Sequence, residues 1–201
     1  MPKEKTNKKI SKVKSCGFPL PQRRRILAID PSTRYMGCVV LENSLPKYYA
    51  VKTITMSRYS QRKIRRTHKE GISRLHTLAP PSKLPTQQVA RIVQSLIDTY
   101  RPELLVIEKP HSRWIKRSDL LHKLIGAIKK TAMASGIEIK EYTPEDVRTI
   151  LCGNPLATKQ DIAHVLSHIS DVSVLLQFDR INDRYWCHLF DALVLGVAAS
   201  L

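Results

Sequence analysis

The sequence predicts an α/β fold in which a mixed five-stranded sheet is flanked by α-helices. Two short apolar runs, residues 26–30 and 104–108, have the continuous hydrophobic character of strands that are buried on both faces. Other segments carry apolar residues at helical spacing, which predicts amphipathic helices. A chain of 201 residues, 42% of them hydrophobic, is long enough to bury one sizeable core. One domain with extensions is therefore the expected organisation.

Three strands are predicted first, and helices and strands then alternate. Strand-forming residues at 37–41 and 48–56 follow the first apolar run, so a three-stranded meander is the simplest pairing. A helix opens at Pro85 and stops before Pro102, and the second apolar run follows directly. The remaining elements are a helix over residues 118–134, a strand over 137–142, helix starts at Thr143 and Thr158, and a last helix with His188 and Asp191. This order is the one expected of a ribonuclease H-like fold.

The charge of the chain is strongly positive. Lys and Arg number 34 against 17 Asp and Glu, which gives a net charge of +17. Such a chain attracts polyanions, so nucleic acid is the predicted partner. The Lys-rich residues 1–24 are predicted to form a flexible basic arm, and residues 25–201 the folded domain. The basic connection over residues 57–84 has two possible interpretations, a solvated loop or helix face and a segment that contacts DNA directly.

Several classes of protein are disfavoured. The four cysteines form no CxxC pair, so a zinc ribbon is not expected, and reduced thiols in the cytoplasm are the better interpretation. No apolar stretch reaches the roughly 18 residues that are needed to span a membrane. We expect a cytoplasmic protein that associates with DNA, without membrane attachment and without a small-molecule cofactor.

Four side chains form the candidate catalytic site. Asp30 and Glu108 each end an apolar run, where a carboxylate must be solvated, paired or bound to a cation. His188 and Asp191 are three residues apart on the last helix, so they share one face of it. If that face lies beside Asp30, the four groups can surround metal ions. On a basic chain this pattern favours a metal-dependent nuclease. Nucleases that use two metal ions hold them roughly 3.5 to 4 Å apart.

With these motifs in their order, the chain resembles the RuvC family of Holliday-junction resolvases. The matching segments run from about Arg25 to the C-terminus and are Ile29 to Ser32 with Gly37, Val106 to Glu108, Tyr142 to Arg148, Ala157 to Gln160, and His188 to Leu193 with Ala198. The resemblance implies a ribonuclease H-like, RuvC-like nuclease domain over residues 25–201. It also implies a homodimer that binds a four-way DNA junction and cuts it by paired symmetric nicks.

The resemblance further implies roles for single residues. Asp30, Glu108 and Asp191 would hold two Mg²⁺ or Mn²⁺ ions, and His188 would bind metal or move a proton. Lys159 falls at the catalytic lysine of the family. The predicted DNA contacts are Lys159, Arg148, His111, Arg113, Trp114 and Lys116.

This sequence also departs from the family pattern. Ser32 stands where a Gly is usual, and its side chain is expected to restrict the approach of the backbone to the metals. Where many members place a Phe that stacks into the junction centre, this chain has residues 109–114, so Trp114 or His111 would have to stack instead. The apolar residues of the 118–134 helix extend around much of it, which predicts a dimer interface there.

Two other functions stay open. A module that binds branched nucleic acid without cutting it would account for the charge but has no need of four converging ligands. A ribonuclease H-like nuclease that acts on RNA is not ruled out by any feature of the sequence. A sugar-kinase-like phosphotransferase is excluded by size, because such enzymes need two domains of this kind.

Overall fold

The computed structural model of the chain describes residues 24–54, 85–109, 119–169, 183 and 186–201. Within these residues, the predicted α/β fold with a mixed five-stranded sheet is confirmed. The strands are β1 (Arg25–Pro31), β2 (Tyr35–Glu42), β3 (Leu45–Thr53), β4 (Leu104–Glu108) and β5 (Glu138–Tyr142). The described helices are α1 (Pro85–Tyr100), α2 (Asp119–Ala134), α3 (Pro144–Cys152), α4 (Lys159–Ile169) and α5 (Trp186–Ser200).

The strands lie in the order β3-β2-β1-β4-β5. β1, β2 and β3 pair antiparallel, as the predicted meander requires, whereas β4 is parallel to both β1 and β5. Parallel neighbours need a crossover, and α2 joins β4 to β5 in this way. β1 and β4 therefore lie in the middle of the sheet, which explains why both sequences are apolar without alternation.

Each face of the sheet is covered by its own layer of helices. On one face, Leu27 and Ile107 pack with α1 and α2. On the other, Ala28 and Val106 pack with α3, α4 and α5. α5 is apolar around nearly its whole circumference and lies directly on β1 and β2, so Asp191 is a half-buried acid within an otherwise buried run.

The apolar residues of α2 serve the core of the monomer. Leu124, Ile125 and Ile128 are buried, and Leu120 and Leu121 pack half-buried against the same cluster. Because α1 and the sheet take up these side chains, their spacing alone does not require a dimer interface on this helix. That interface and the homodimer itself stay predictions.

Parts of several predictions lie outside the described residues: most of the basic arm, the connection over residues 57–84 and the end of the third predicted strand, residues 55 and 56. Arg24, the last residue assigned to the arm, forms an ion pair with Glu138 in β5 and so belongs to the folded part. None of the helices within the described part of the chain is long and apolar enough to cross a membrane.

Candidate active site

Two carboxylates lie at one edge of the sheet. Glu108 is the last residue of β4, and Asp30 is the last residue but one of β1. The two strands are parallel neighbours, with Ile29 opposite Ile107, so the positions that follow are also side by side. Asp30 is buried, with 8% of its surface exposed. A pair of carboxylates is thus held on two neighbouring interior strands of the sheet.

The start of α5 adds a histidine to this edge. His188 Nδ1 lies 2.5 Å from Asp30 Oδ2, and its ring lies 6.1 Å from the ring of Tyr35, centroid to centroid. Burial lowers the pKa of His188, but the hydrogen bond and charge of Asp30 outweigh burial and raise the pKa overall. His188 therefore favours the protonated form more than an ordinary histidine does.

This approach of α5 depends on the absence of a side chain at Gly37. A Cβ atom at Gly37 would lie 1.9 Å from the carbonyl oxygen of His188 and 2.5 Å from its carbonyl carbon. Both distances are far inside van der Waals contact, so only glycine lets the helix backbone reach β2 here. Gly37 thereby sets the position of His188 and of Asp191 one turn further along.

Lys159 is the first residue of α4, and its ammonium pairs with Asp191. Lys159 Nζ lies 2.7 Å from Asp191 Oδ1 and 2.8 Å from Oδ2. The start of the helix is fixed by Thr158 and Asp161: the Asp161 carboxylate accepts the Thr158 N–H at 2.8 Å, and the Thr158 hydroxyl accepts the Asp161 N–H at 3.2 Å. The predicted capping box is present and aims the lysine at the carboxylates.

Glu108 is the least compensated acid of the group. Burial, followed by the charges of Asp30 and Asp191, raises the pKa of Glu108 from its ordinary value of 4.5 to about 8. Burial also raises the pKa of Asp191, although the ammonium of Lys159 opposes it. No described residue gives the Glu108 carboxylate a side-chain hydrogen bond or an ion pair. Glu108 therefore favours its protonated form near neutral pH, whereas Asp30 and Asp191 each have a basic partner.

A small cleft of about 60 Å³ opens beside these groups. It has polar walls from Glu108, Asp191, Lys159 and Arg148 and an apolar lining from Pro144, Val147, Ile162, Val194 and Leu195. Arg148 also donates a hydrogen bond of 3.4 Å to the carbonyl oxygen of Pro155. Of the predicted DNA contacts, Arg148 and Lys159 thus reach the carboxylate site, whereas His111, Arg113, Trp114 and Lys116 lie outside the described residues.

The donor set has the chemistry of a site for a hard divalent cation. Carboxylate oxygens are the ligands that Mg²⁺ and Mn²⁺ prefer, and a cation would favour the ionised form of Glu108, which burial and the charges of Asp30 and Asp191 disfavour. As they stand, no three His, Cys, Asp or Glu side chains among the described residues converge closely enough to hold one ion. Asp30 is engaged by His188 and Asp191 by Lys159. A cation bound here would have to compete with these two pairs.

Ser32 has a local role that the sequence reasoning missed. Its hydroxyl donates to the carbonyl oxygen of Tyr35 at 2.6 Å and accepts the N–H of Tyr35 at 3.0 Å. The side chain therefore folds back onto the β1–β2 turn and fixes Tyr35 beside His188. The serine between two strands, three residues before Tyr35, is the sequence signal of such a turn.

Comparisons with known proteins identify the family of this chain. The sequence profile described as "Crossover junction endodeoxyribonuclease RuvC" matches residues 26–185. A protein of that name from Porphyromonas gingivalis is 25% identical over 178 residues, which cover 85% of this chain and 84% of that protein. Its counterpart from Bacteroides fragilis is 28% identical over 147 residues, 72% and 68% of the two chains.

Solved structures give the same fold. RuvC of T. thermophilus in complex with a Holliday junction substrate superimposes with a TM-score of 0.61 at 18% identity, over 87% of this chain and 92% of that one. The yeast mitochondrial Holliday junction resolvase gives a TM-score of 0.55 at 10% identity, over 90% and 79%. The fold, the order of the motifs and the matched profile lead to one conclusion: this chain belongs to the RuvC family of crossover junction endodeoxyribonucleases.

Proposed function

We propose that this protein is a metal-dependent endonuclease that resolves four-way DNA junctions by paired symmetric nicks. The observation that carries the proposal is the meeting of Asp30, Glu108, Asp191 and Lys159 at one edge of the sheet. Members of the RuvC family are metal-dependent nucleases, and the relatives named above are crossover junction endodeoxyribonucleases. A basic chain of net charge +17 is suited to a DNA substrate.

Each residue of the site has a distinct part in this proposal. Asp30, Glu108 and Asp191 would hold two Mg²⁺ or Mn²⁺ ions, with His188 as a further ligand or as a proton carrier. Two such ions activate the attacking water and stabilise the leaving oxygen of the phosphodiester. His188 holds Asp30 in place through its Nδ1 contact.

Lys159 has a second task once a phosphate is bound. It stands at the first position of α4, where the ammonium and the partial positive charge of the helix N-terminus favour the same anion. We infer that it stabilises charge that develops on the scissile phosphate. Arg148, on the wall of the same cleft, would hold the DNA backbone.

The proposed partners are branched DNA and a second copy of this chain. Two symmetric cuts need two active sites related by a two-fold axis, which a homodimer supplies. In this scheme residues 25–201 form the nuclease domain and residues 1–24 a basic arm, whose last residue, Arg24, is tied to the domain through Glu138. The protein would act on DNA in the cytoplasm. Sedimentation tests the dimer, because a monomer that still makes paired cuts would contradict it.

The decisive experiment incubates the protein with a mobile and an immobile four-way junction, with Mg²⁺, with Mn²⁺ or with EDTA, and reads the products on a denaturing gel. Asp30→Asn, Glu108→Gln and Asp191→Asn should abolish nicking while junction binding survives, because they remove ligand charge but hardly change shape. Asp98→Asn, an exposed acid on α1, is the matched control and should cut normally.

The same experiment separates the alternatives. Full activity in any of the three site variants would contradict the assigned site. Binding without cutting in every metal would instead support a non-catalytic junction-binding module. A matched RNA junction, cut faster than the DNA junction, would make the protein a nuclease for RNA.

A further inference from the structure

Between α3 and α4, a short turn over residues 153–157 is held firmly. Gly153 adopts a left-handed conformation, with φ of 67°, and donates its N–H to the carbonyl oxygen of Thr149 at 2.9 Å. The side-chain oxygen of Asn154 accepts the N–H of Leu156 at 2.9 Å, and its backbone oxygen accepts the N–H of Ala157 at 3.1 Å. Arg148 donates a hydrogen bond to the carbonyl oxygen of Pro155 in the same turn. The conformation is thus set by several hydrogen bonds and by one proline.

This rigid turn exposes a large apolar side chain. Leu156 is 84% exposed, more than any other large hydrophobic residue in the described part of the chain, whereas its neighbour Ala157 is 6% exposed and belongs to the core. A single exposed leucine is not unusual on a protein surface. Its surroundings make this one informative.

Leu156 stands between two groups of the active site. It precedes Lys159 by three residues, so the two Cα atoms are at most about 11 Å apart. The turn is tied on its other side to Arg148, which lines the cleft next to Glu108. In the proposed function, one phosphate of the DNA lies at Lys159. Successive nucleotides of a duplex strand are about 3.4 Å apart along the helix axis. Leu156 is therefore within a few nucleotides of the bond that is cut.

The chemistry of leucine restricts what it can contact there. An isobutyl group cannot neutralise a phosphate, and the two basic residues beside it already serve that purpose. The apolar parts of DNA within reach are the faces of the bases and the methyl group of thymine, which proteins contact with leucine and other apolar side chains. Apolar side chains can insert between base steps and partly unstack them, so such a contact is within the reach of a leucine.

We propose that Leu156 contacts a base of the cleaved strand beside the scissile phosphate and thereby helps to set the sequence at which the protein cuts. The inference rests on the proposed function and adds to it a residue that selects sequence. Asn154 and Gly153 are positioning residues in this scheme, because they act through the turn, whereas Arg148 supports the turn and also faces the DNA backbone.

The test is a panel of four-way junctions in which the base on each side of the cut is varied over all four possibilities. Single-turnover rates at saturating protein give the ratio between the best and the worst sequence. Leu156→Ala should reduce this ratio about tenfold, and Leu156→Met, which keeps an apolar side chain, should restore most of it. Met133→Ala, at a 70% exposed position on α2, is the matched control and should leave the ratio unchanged.

The ratio distinguishes selection from a loss of folding, which would lower all rates alike. An unchanged ratio in Leu156→Ala, or a wild-type protein that cuts all sequences equally, would overturn the inference while the junction-cutting function stands. A wild-type protein that cuts no junction at all would overturn the proposed function and this inference together.

Discussion

At the scale of single residues, the main feature of the site is a half-buried acid without a side-chain partner among the described residues. Glu108 has a pKa of about 8 because burial and the charges of Asp30 and Asp191 disfavour its ionised form. His188 and Lys159 each neutralise one of the other two acids. A cation bound beside Glu108 would lower the pKa of this carboxyl group and so favour its ionised form.

The stability of the metal-free protein should depend on the ionisation of Glu108. Between pH 4.5 and about 8 the folded protein holds a proton at Glu108 that the unfolded chain has released, so stability falls as the pH rises through this window. Glu108→Gln removes this loss. In EDTA the variant should match wild type near pH 5 and be more stable near pH 8.5 by a few kcal/mol, since one unit of pKa shift is worth about 1.4 kcal/mol.

Urea unfolding at the two pH values measures this difference. Added Mg²⁺ should stabilise wild type more than Glu108→Gln, because only wild type has the full ligand charge. The assigned cause of the raised pKa would be wrong if both proteins lost stability equally between the two pH values.

His188 can be tested by the group that replaces it. His188→Ala removes the partner of Asp30. It should slow single-turnover cleavage about 100-fold, which is the lower end of the rate loss expected when a proton-transferring group is removed. His188→Asp should keep most of the activity, because an aspartate can serve as a ligand. His164→Ala, on the exposed face of α4, is the control. Wild-type rates for His188→Ala would reduce the histidine to a structural residue.

At the scale of elements, the site depends on how closely α5 approaches the sheet. β1 and β4 supply two carboxylates from neighbouring interior strands, but His188 and Asp191 arrive on a helix whose position is set by its contact with β2 at Gly37. Gly196, further along the same helix, leaves similarly little room, since a Cβ there would lie 2.8 Å from Leu41 Cδ1. Small residues thus bring the helix within reach of Asp30.

Gly37→Ala should move the residues of α5, His188 and Asp191, away from the strand carboxylates Asp30 and Glu108. The new methyl group would lie 1.9 Å from the carbonyl oxygen of His188. The start of α5 must therefore move away from β2 by roughly 1 Å or more. A displacement of about 1 Å can cost about 100-fold in rate, and overpacking typically costs about 1–3 kcal/mol of stability.

Gly126→Ala is the matched control for this substitution. A Cβ at Gly126 meets nothing within 4 Å, and alanine is favoured over glycine inside a helix by up to about 1 kcal/mol. The control should therefore be as stable as wild type or more so, with unchanged cleavage. Normal cleavage by Gly37→Ala would show that α5 can tolerate the shift and that Gly37 does not position the site.

At the scale of the whole molecule, we expect the basic arm to contribute to DNA affinity and the carboxylate site to carry out cleavage, so that each can be altered without the other. The arm carries Lys3, Lys5, Lys8, Lys9, Lys12, Lys14 and Arg23, which can neutralise phosphates without holding a reacting one in place. Deleting residues 1–23, which keeps the ion pair of Arg24, should weaken binding to duplex DNA. It should also flatten the logarithmic salt dependence of binding by roughly 0.9 for each phosphate that the arm no longer neutralises.

Salt titrations of duplex binding measure the slope, and single-turnover cleavage at saturating protein measures the chemistry. The cleavage rate of the truncated protein should stay near wild type. A truncated protein that binds normally but no longer cuts would place the arm at the active site.

The sequence alone determined the elements and the identity of the acids. The runs that end at Asp30 and Glu108 have an apolar pattern that only a central strand needs, and local signals such as the capping box at Thr158 mark where helices start. These features depend on neighbours along the chain. The order of the motifs was then sufficient to indicate the family.

Tertiary structure decided how these pieces act together. The pairing of β1 with β4, the contact of α5 with Gly37 and the raised pKa of Glu108 arise from residues far apart in sequence. The apolar side chains of α2 have the same periodicity whether they face the core or a partner, so the sequence could not choose between the two. The exposure of Leu156 beside a buried alanine likewise follows from a turn that folds over its own backbone. Burial and charge coupling are sums over interactions in space, and the linear pattern does not contain them.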